Sequence, residues 1–122
     1  MSTQVVPMIH VPDVRATVEW YQRLGFVVQS TNECEGLMDW ASLTYGDSEV
    51  MFNAGGQSST ATRRELDLYT RVPDVAAVYE RLRGTVELVE DLHDTFYGSR
   101  EFIVRDLNGF WIVFGQAREA QR

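Results

Sequence analysis

The sequence predicts an α+β fold in which two βαβββ units supply a curved, mostly antiparallel eight-stranded sheet around a cleft, with the helices outside. Three observations predict this fold. The tetrapeptide Val-Pro-Asp-Val occurs at residues 11–14 and again at 72–75, 61 residues later in a chain of 122. Apolar residues recur at helical spacing after each copy, and each half ends in a pattern typical of a β-hairpin. A repeat of this length indicates a duplicated unit within one domain, residues 1–122.

The first unit, about residues 5–54, starts with a strand over residues 5–11. Its alternation places Val5, Ile9 and Val11 on the face predicted to be buried. Asp13 is a predicted N-cap for a helix over residues 14–24. Gly25 can adopt the left-handed conformation that ends a helix. A second strand is expected over residues 26–31, followed by a turn at 32–36.

The next two strands of this unit meet at Gly46-Asp47, a pair that suits a two-residue hairpin turn. Pairing outward from that turn places Leu43 opposite Val50 and Ala41 opposite Phe52 on a core face. The other face mixes one large ring, one thioether and small polar groups, which is typical of a ligand cleft. Its residues are Trp40, Ser42, Thr44, Glu49, Met51 and Asn53.

A Gly/Ser/Thr-rich linker over residues 55–63 leads to the second unit, about residues 64–116. That unit repeats the plan with a strand over 65–70, a helix that Asp74 caps and that ends near Arg83, and a strand over 85–92.

The last hairpin, residues 100–115, turns at 106–109 through a three-residue loop with Gly109 left-handed. This register places Phe102, Val104, Ile112 and Phe114 on the core face. Glu101, Ile103, Trp111 and Val113 share the opposite face, and we expect Arg100 and Glu101 to form a structural pair at the sheet end. The polar tail, residues 116–122, is expected to be disordered.

Composition excludes several classes of partner. The net charge is -7, and an acidic surface repels phosphate backbones, so no nucleic-acid partner is expected. The N-terminus lacks the basic region of a signal peptide, and no apolar run reaches the roughly 18 residues of a membrane span. Cys34 is the single cysteine, which excludes an intramolecular disulfide. We therefore expect a cytoplasmic protein without a membrane partner.

Two segments resemble the vicinal oxygen chelate superfamily, which contains glyoxalase I, extradiol dioxygenases, and fosfomycin and bleomycin resistance proteins. The first is the duplicated entry, VPDV…WYQRLGF and VPDVAAVYERLRG, and the second is the closing stretch, residues 97–116. The closing stretch is most similar to the bleomycin resistance branch, although Leu107 replaces the usual proline of its turn. The resemblance covers residues 5–116 and implies this superfamily's fold.

In the enzymes of that superfamily, one side chain from each of four strands, mainly His or Glu, binds a divalent metal. The resemblance places these positions on Val6, Met51, Asp67 and Val113, of which only Asp67 can bind a hard cation. We therefore expect no metal or other cofactor. The alternative is a shifted metal site built from His10, Glu49 and Asp67, which would support a metal-dependent enzyme of the glyoxalase or dioxygenase type.

The resemblance and the apolar chelating positions together predict a metal-independent binding protein rather than an enzyme. It would sequester an aromatic, cationic small molecule, as bleomycin resistance proteins do. Aromatic residues would stack on the ligand, and carboxylates would attract its positive charge. The predicted ligand-binding residues are Trp40, Glu49, Met51, Asp67, Tyr69, Tyr97, Glu101, Trp111 and Val113.

The bleomycin resistance branch also implies a homodimer with ligand grooves between subunits. An interaction or regulatory module without a ligand of its own is a third possibility.

Overall fold

The computed structural model describes residues 4–57 and 66–118, and within them the chain forms eight strands and two helices. Two compact units, Met1–Ser58 and Ser59–Arg122, divide the chain. The first unit contains β1 (Met8–Val11), α1 (Val14–Leu24), β2 (Val27–Cys34), β3 (Leu37–Tyr45) and β4 (Ser48–Ala54). The second contains β5 (Asp67–Arg71), α2 (Val75–Leu82), β6 (Glu87–Asp94), β7 (Ser99–Arg105) and β8 (Trp111–Ala117). The predicted α+β class and the βαβββ plan of both units are confirmed.

The eight strands form two four-stranded sheets of identical topology. The strand order is β1-β4-β3-β2 in the first unit and β5-β8-β7-β6 in the second. The first strand of each unit pairs in parallel with the last, and all other neighbours pair antiparallel. The predicted duplication is therefore visible in the connectivity of each sheet.

Both helices begin at the predicted caps. The carboxylate of Asp13 accepts a hydrogen bond from the amide of Ala16 at 3.0 Å, and Asp74 accepts one from Ala77 at 3.1 Å. Gly25 ends α1 with a φ of 113°, as expected for a left-handed C-cap. Helix α2 ends one residue earlier than predicted, because Arg83 is already outside the helical conformation with a ψ of 140°.

The buried faces follow the predicted periodicities. Val14, Val18, Tyr21 and Leu24 form the buried stripe of α1. In the first sheet Leu43 lies opposite Val50 and Ala41 opposite Phe52, as predicted. In the second sheet Phe102 pairs with Phe114 and Val104 with Ile112, and all four are fully buried. Each unit thus has its own apolar layer between a sheet and a helix.

The turn between β7 and β8 also matches its prediction. The carboxylate of Asp106 accepts hydrogen bonds from the amides of Asn108 at 2.8 Å and Phe110 at 2.9 Å. Gly109 has a φ of 87°, a conformation that costs a glycine little. These contacts fix the turn and with it the pairing of β7 with β8.

Two strand predictions in the first unit are wrong. Strand β1 begins at Met8 rather than Val5, and Val5 is 93% exposed instead of buried. Pro7 explains the late start, since proline has no amide to donate to a neighbouring strand. Strand β2 continues to Cys34 because the turn is confined to Glu35 and Gly36, both with positive φ.

Two predictions in the second unit also need correction. Strand β6 spans Glu87–Asp94, two residues later than predicted at both ends. The supposed tail begins too early, because Gln116 and Ala117 belong to β8. Residues 58–63 of the predicted linker and residues 119–122 of the predicted tail lie outside the described residues. The predicted start of β5 at residue 65 lies outside them as well.

The two helices contain 11 and 8 residues. In the part of the chain that the structure describes, no helix has both the length and the apolar character needed to cross a membrane.

The N-cap of α1 gives a direct test of the fold. Asp13→Ala removes the side chain that accepts the Ala16 amide, so we expect the free energy of unfolding to fall by about 1 kcal/mol. Asp13→Asn keeps a good capping side chain and is expected to lose much less. Urea denaturation of both variants measures the difference, and equal losses would contradict this assignment.

Candidate functional site

The face of the second sheet that points away from α2 contains a cavity of about 530 Å³. Its walls come from β5, β6, β7, β8 and the turn between β6 and β7. The turn contributes Phe96 and Tyr97, and the strands contribute carboxylates and two apolar side chains, Ile103 and Val113. We call this space the acidic cavity, because four of its lining residues are Asp67, Glu90, Asp94 and Glu101.

Glu101 is the best-buried carboxylate of this cavity, with 3% of its surface exposed. The Tyr97 hydroxyl donates a hydrogen bond to its Oε1 at 2.6 Å, and the Tyr69 hydroxyl donates a short one to its Oε2. Ser99 lies beside this group, with its Oγ 3.3 Å from the Tyr69 hydroxyl. Two phenols from different segments are therefore held by one carboxylate.

Gly115 makes room for this arrangement. It lies opposite Glu101 in the register of β7 and β8. A Cβ atom at position 115 would lie 2.4 Å from the Tyr69 hydroxyl oxygen, 2.9 Å from its Cζ and 3.3 Å from the Cγ of Glu101. The first two distances are shorter than real contacts allow, so Tyr69 can reach Glu101 only because residue 115 is a glycine.

The hydrogen bonds among Glu101, Tyr69 and Tyr97 lower the pKa of the carboxyl group and raise the pKa values of the two phenols. Burial alone would raise the pKa of Glu101, but hydrogen bonds from Tyr69, Tyr97 and Ser99 outweigh burial and lower it. The hydrogen bond to Glu101 raises the pKa of Tyr97 to about 12. Partial burial, followed by the bond to Glu101, raises the pKa of Tyr69. At neutral pH, Glu101 is therefore ionised and both phenols keep their protons.

Aromatic rings line the open side of the acidic cavity. Phe96 is 99% exposed and Tyr97 is 60% exposed, and their rings meet edge to face with centroids 5.1 Å apart. Thr95 fixes the base of their turn, because its hydroxyl donates to the carbonyl of Ser99 and accepts from the Ser99 amide, each at 3.0 Å. The sequence thus places two rings at the cavity mouth on a short, well-bonded turn.

The carboxylates on the β6 side have basic neighbours. Asp94 accepts a hydrogen bond from Arg100 at 2.8 Å, and this bond lowers the pKa of Asp94. Glu90 lies 3.6 Å from the ring of His93. The predicted structural pair of Arg100 with Glu101 is wrong, because successive residues of a strand point to opposite faces and Arg100 pairs with Asp94 instead.

The structure brings five of the predicted ligand-binding residues to one cavity, and these are Asp67, Tyr69, Tyr97, Glu101 and Val113. Trp111 shares their face of the sheet and lies between Asp67 and Arg105 in the register, two residues before Val113 on β8. The remaining three, Trp40, Glu49 and Met51, belong to the first unit. There they share one face of β3 and β4, and Glu49 accepts a 2.5 Å hydrogen bond from Ser42.

The two sheets have matching registers, which show the residues of the first unit that occupy the positions of Glu101, Gly115 and Tyr69. Glu101 pairs with Gly115, and the equivalent pair in the first unit is Trp40 with Asn53. Tyr69 pairs with Val113, and the equivalent pair is Met8 with Met51. The two units therefore share their sheet topology but carry different chemistry at matching positions.

The four positions that the resemblance assigns to metal ligands lack the donors for a metal site. Val6, Met51 and Val113 offer no nitrogen or oxygen donor, which leaves Asp67 as a single hard ligand. In the alternative set, His10 pairs with Asn53, four residues from Glu49 along β4, a separation of about 13 Å. Among the described residues, no group of three His, Cys, Asp or Glu side chains could hold a metal ion.

Sequence reasoning missed Phe96, Glu90, Asp94 and Arg71 as residues near the site. Ending β6 at residue 92 left the tip of the β6–β7 hairpin unassigned. Register shifts in β6, between residues 88 and 93, also re-aim its side chains and cannot be read from simple alternation. The aromatic pair Phe96-Tyr97 followed by Gly98 was the available signal for a ligand-binding turn.

Comparison with known proteins identifies related chains. The model of the Glyoxalase/Bleomycin resistance protein/Dioxygenase superfamily matches residues 4–114. The solved structure of TioX from Micromonospora sp. ML1 is 25% identical, covers 98% of this chain and 100% of its own, and has a TM-score of 0.75. A search of curated protein sequences finds no match.

Two further solved structures show the fold alone, because their identities are lower. The bleomycin resistance determinant encoded on transposon Tn5 is 20% identical over 97% of this chain and 100% of its own, with a TM-score of 0.72. A glyoxalase/bleomycin resistance protein/dioxygenase from Alicyclobacillus acidocaldarius is 12% identical over 96% and 92%, with a TM-score of 0.77.

Gly115 provides a test of the Tyr69–Glu101 contact. Gly115→Ala is expected to displace Tyr69 and to lower the free energy of unfolding by about 1–3 kcal/mol, as overpacking does. In the double variant Gly115→Ala/Tyr69→Ala the clash disappears, so the combined loss should be smaller than the sum of the single losses. Strictly additive losses in urea denaturation would rule out this packing.

The pKa of Tyr97 provides a second test. Its neutral form is favoured in the folded state, so its contribution to stability is complete below pH 10 and is lost as the pH rises through about 12. Glu101→Gln removes the negative charge and is expected to return the Tyr97 pKa toward 10. NMR of Cζ-labelled tyrosine measures the titration, and Glu49→Gln is the matched control. An unchanged Tyr97 titration in Glu101→Gln would refute the assigned hydrogen bond.

Proposed function

This chain belongs to the glyoxalase/bleomycin resistance protein/dioxygenase superfamily, and we propose that it is a metal-independent binding protein that sequesters an aromatic, cationic small molecule. The acidic cavity carries this proposal, because it combines stacking rings with the carboxylates of Asp67, Glu90 and Glu101. A volume of about 530 Å³ lies within the range of small-molecule sites.

The rings at the cavity suit a flat ligand. Tyr69, Phe96 and Tyr97 all line the acidic cavity, and Phe96 and Tyr97 present most of their surface to solvent. Each ring that stacks on a ligand contributes about 0.5–1.5 kcal/mol beyond the burial of its area. A ligand with an extended aromatic system would therefore gain more from this site than an aliphatic one.

The charges at the cavity favour a cation. Among the residues that the structure describes, its lining contains four acidic residues, of which Asp94 is paired with Arg100, and one basic residue, His93. A cationic group over the face of Tyr97 would also gain about 0.5–2 kcal/mol from the ring quadrupole. The chain's net charge of -7 adds a weak long-range attraction of the same sign.

The directions of the pKa shifts at the site support binding rather than turnover. General acid–base catalysis works best with pKa values near the operating pH. Here the Tyr97 pKa is raised to about 12 and the Glu101 pKa is lowered, so both groups move away from neutrality. The residues at the chelating positions are also mostly apolar. We therefore assign Glu101 the role of positioning the rings of Tyr69 and Tyr97 through its hydrogen bonds.

Metal-free bleomycin is the first ligand to test, because one structural relative is a bleomycin resistance determinant. We expect saturable quenching of tryptophan fluorescence, since Trp111 lies on the cavity face. Tyr97→Leu should weaken binding roughly two- to tenfold through the loss of one stacking ring.

Tyr79→Leu is the matched control for this titration. Tyr79 lies on α2 and its ring contacts Phe102 on the opposite face of the sheet, so this change removes a tyrosine without touching the cavity. Equal weakening by both variants would contradict the proposed location. No binding of bleomycin or of other flat cations would refute the proposed function.

A further inference from the structure

A second pocket, of about 340 Å³, lies next to the acidic cavity on the same face of the second sheet. The two spaces share Tyr69 and Tyr97. The second pocket continues toward the ends of β5 and β8, where it is lined by Arg71, Gly98, Ser99 and Gly115. We call it the Arg71 pocket, because Arg71 carries the one formal charge among the lining residues that the structure describes.

The two spaces have opposite charge. The acidic cavity has four carboxylates in its lining, whereas the described lining of the Arg71 pocket has none. The guanidinium carbon of Arg71 lies 5.4 Å from the centre of the Tyr69 ring, which orients it by a cation–π contact. Within residues 4–57 and 66–118, no carboxylate lies within ion-pair distance of Arg71.

Gly98 leaves open space in the lining of this pocket. Arg71 lies beside Gly115 in the parallel register of β5 and β8, and Gly98 follows Tyr97 in the turn. A Cβ atom added at Gly98 would meet no atom within 4 Å, whereas the space over Gly115 is occupied by the hydroxyl end of Tyr69. A ligand group can therefore approach the backbone at Gly98 while it contacts the arginine.

A ligand stacked on Tyr69 and Tyr97 would face carboxylates at one end and Arg71 at the other. We propose that the Arg71 pocket is an anion-binding subsite, and that the ligand is an amphoteric aromatic molecule with a carboxylate or similar oxyanion besides its cationic group. This proposal rests on the proposed function for the aromatic and cationic parts of the ligand. It adds that the ligand also carries an anionic group, which the carboxylates of the acidic cavity alone would repel.

The protein's overall negative charge does not prevent such binding. Charges more than about 8 Å apart are largely screened at physiological ionic strength, so the local arginine dominates. The planar guanidinium matches an oxyanion with two parallel hydrogen bonds, which also makes the contact selective. A simple anion without an aromatic body would lack the stacking contribution of Tyr69 and Tyr97.

Three naphthalene probes test the subsite, and these are 2-naphthoate, 2-naphthylmethylammonium and the zwitterion 6-(aminomethyl)-2-naphthoate. Binding is followed by amide NMR of the full chain. We expect 2-naphthoate to shift the amide signals of Gly98 and Gly115, and Arg71→Gln to weaken its binding about tenfold. The zwitterion should bind wild-type protein more tightly than either singly charged probe.

Arg83→Gln is the matched control. The Arg83 guanidinium lies 5.8 Å from the centre of the Tyr79 ring, so this variant loses the same charge from the same kind of contact away from the pocket. We expect it to bind all three probes like the wild type. Arg71→Gln should leave binding of the ammonium probe unweakened.

The outcomes separate the two proposals. Failure of 2-naphthoate to bind, or equal binding by Arg71→Gln, would overturn the anion subsite while leaving the cationic ligand intact. Arg71-dependent binding of 2-naphthoate without any binding of the ammonium probe would support the subsite and refute the cationic ligand. If none of the probes binds, both proposals are overturned.

Discussion

In the β7–β8 hairpin, Phe102 lies opposite Phe114 and Val104 opposite Ile112, with all four side chains buried on the face that packs against α2. Because side chains alternate along a strand, this pairing sends Glu101, Val113 and Gly115 to the other face. A slip by one residue would move the apolar layer into the site and the carboxylate into the core. The packing of the second unit and the position of its candidate site therefore depend on one register, which the Asp106 turn fixes.

The sequence was sufficient to predict the parts of the fold that obey a short-range rule. Alternation gave the pairing of Ala41 with Phe52 and of Phe102 with Phe114, and cap chemistry gave the start of both helices. The errors fall where a local rule is broken. Pro7 prevents β1 from starting earlier, and the register shifts inside β6 re-aim its side chains. Strand alternation places four of the predicted site residues, Asp67, Tyr69, Glu101 and Val113, on the cavity face, whereas Tyr97 lies in the β6–β7 turn. The role of Gly115 depends on a contact with Tyr69, 46 positions away in the sequence, that no local pattern shows.

The two copies of the repeat separate what the fold requires from what the site requires. Both keep the Val-Pro-Asp-Val entry, the aspartate cap and the sheet order. At matching register positions the second unit has Tyr69, Glu101 and Gly115, whereas the first has Met8, Trp40 and Asn53. In the second unit Tyr69 is held by a hydrogen bond to the ionised carboxylate of Glu101. In the first unit the matching positions carry the large ring of Trp40 and the thioether of Met8. The two units therefore share one fold, while different side chains at a few matching positions give their sheet faces different polarity.

The exposure of Phe96 has a calorimetric consequence. Its ring is exposed to water on a short turn and meets the ring of Tyr97 edge to face. Any ligand that covers this ring removes apolar surface from water, and such burial lowers the heat capacity of the complex. The enthalpy of association would then become more negative as the temperature rises. The slope of that change reports the apolar area that a given ligand buries, to which this ring would contribute, without requiring a structure of the complex.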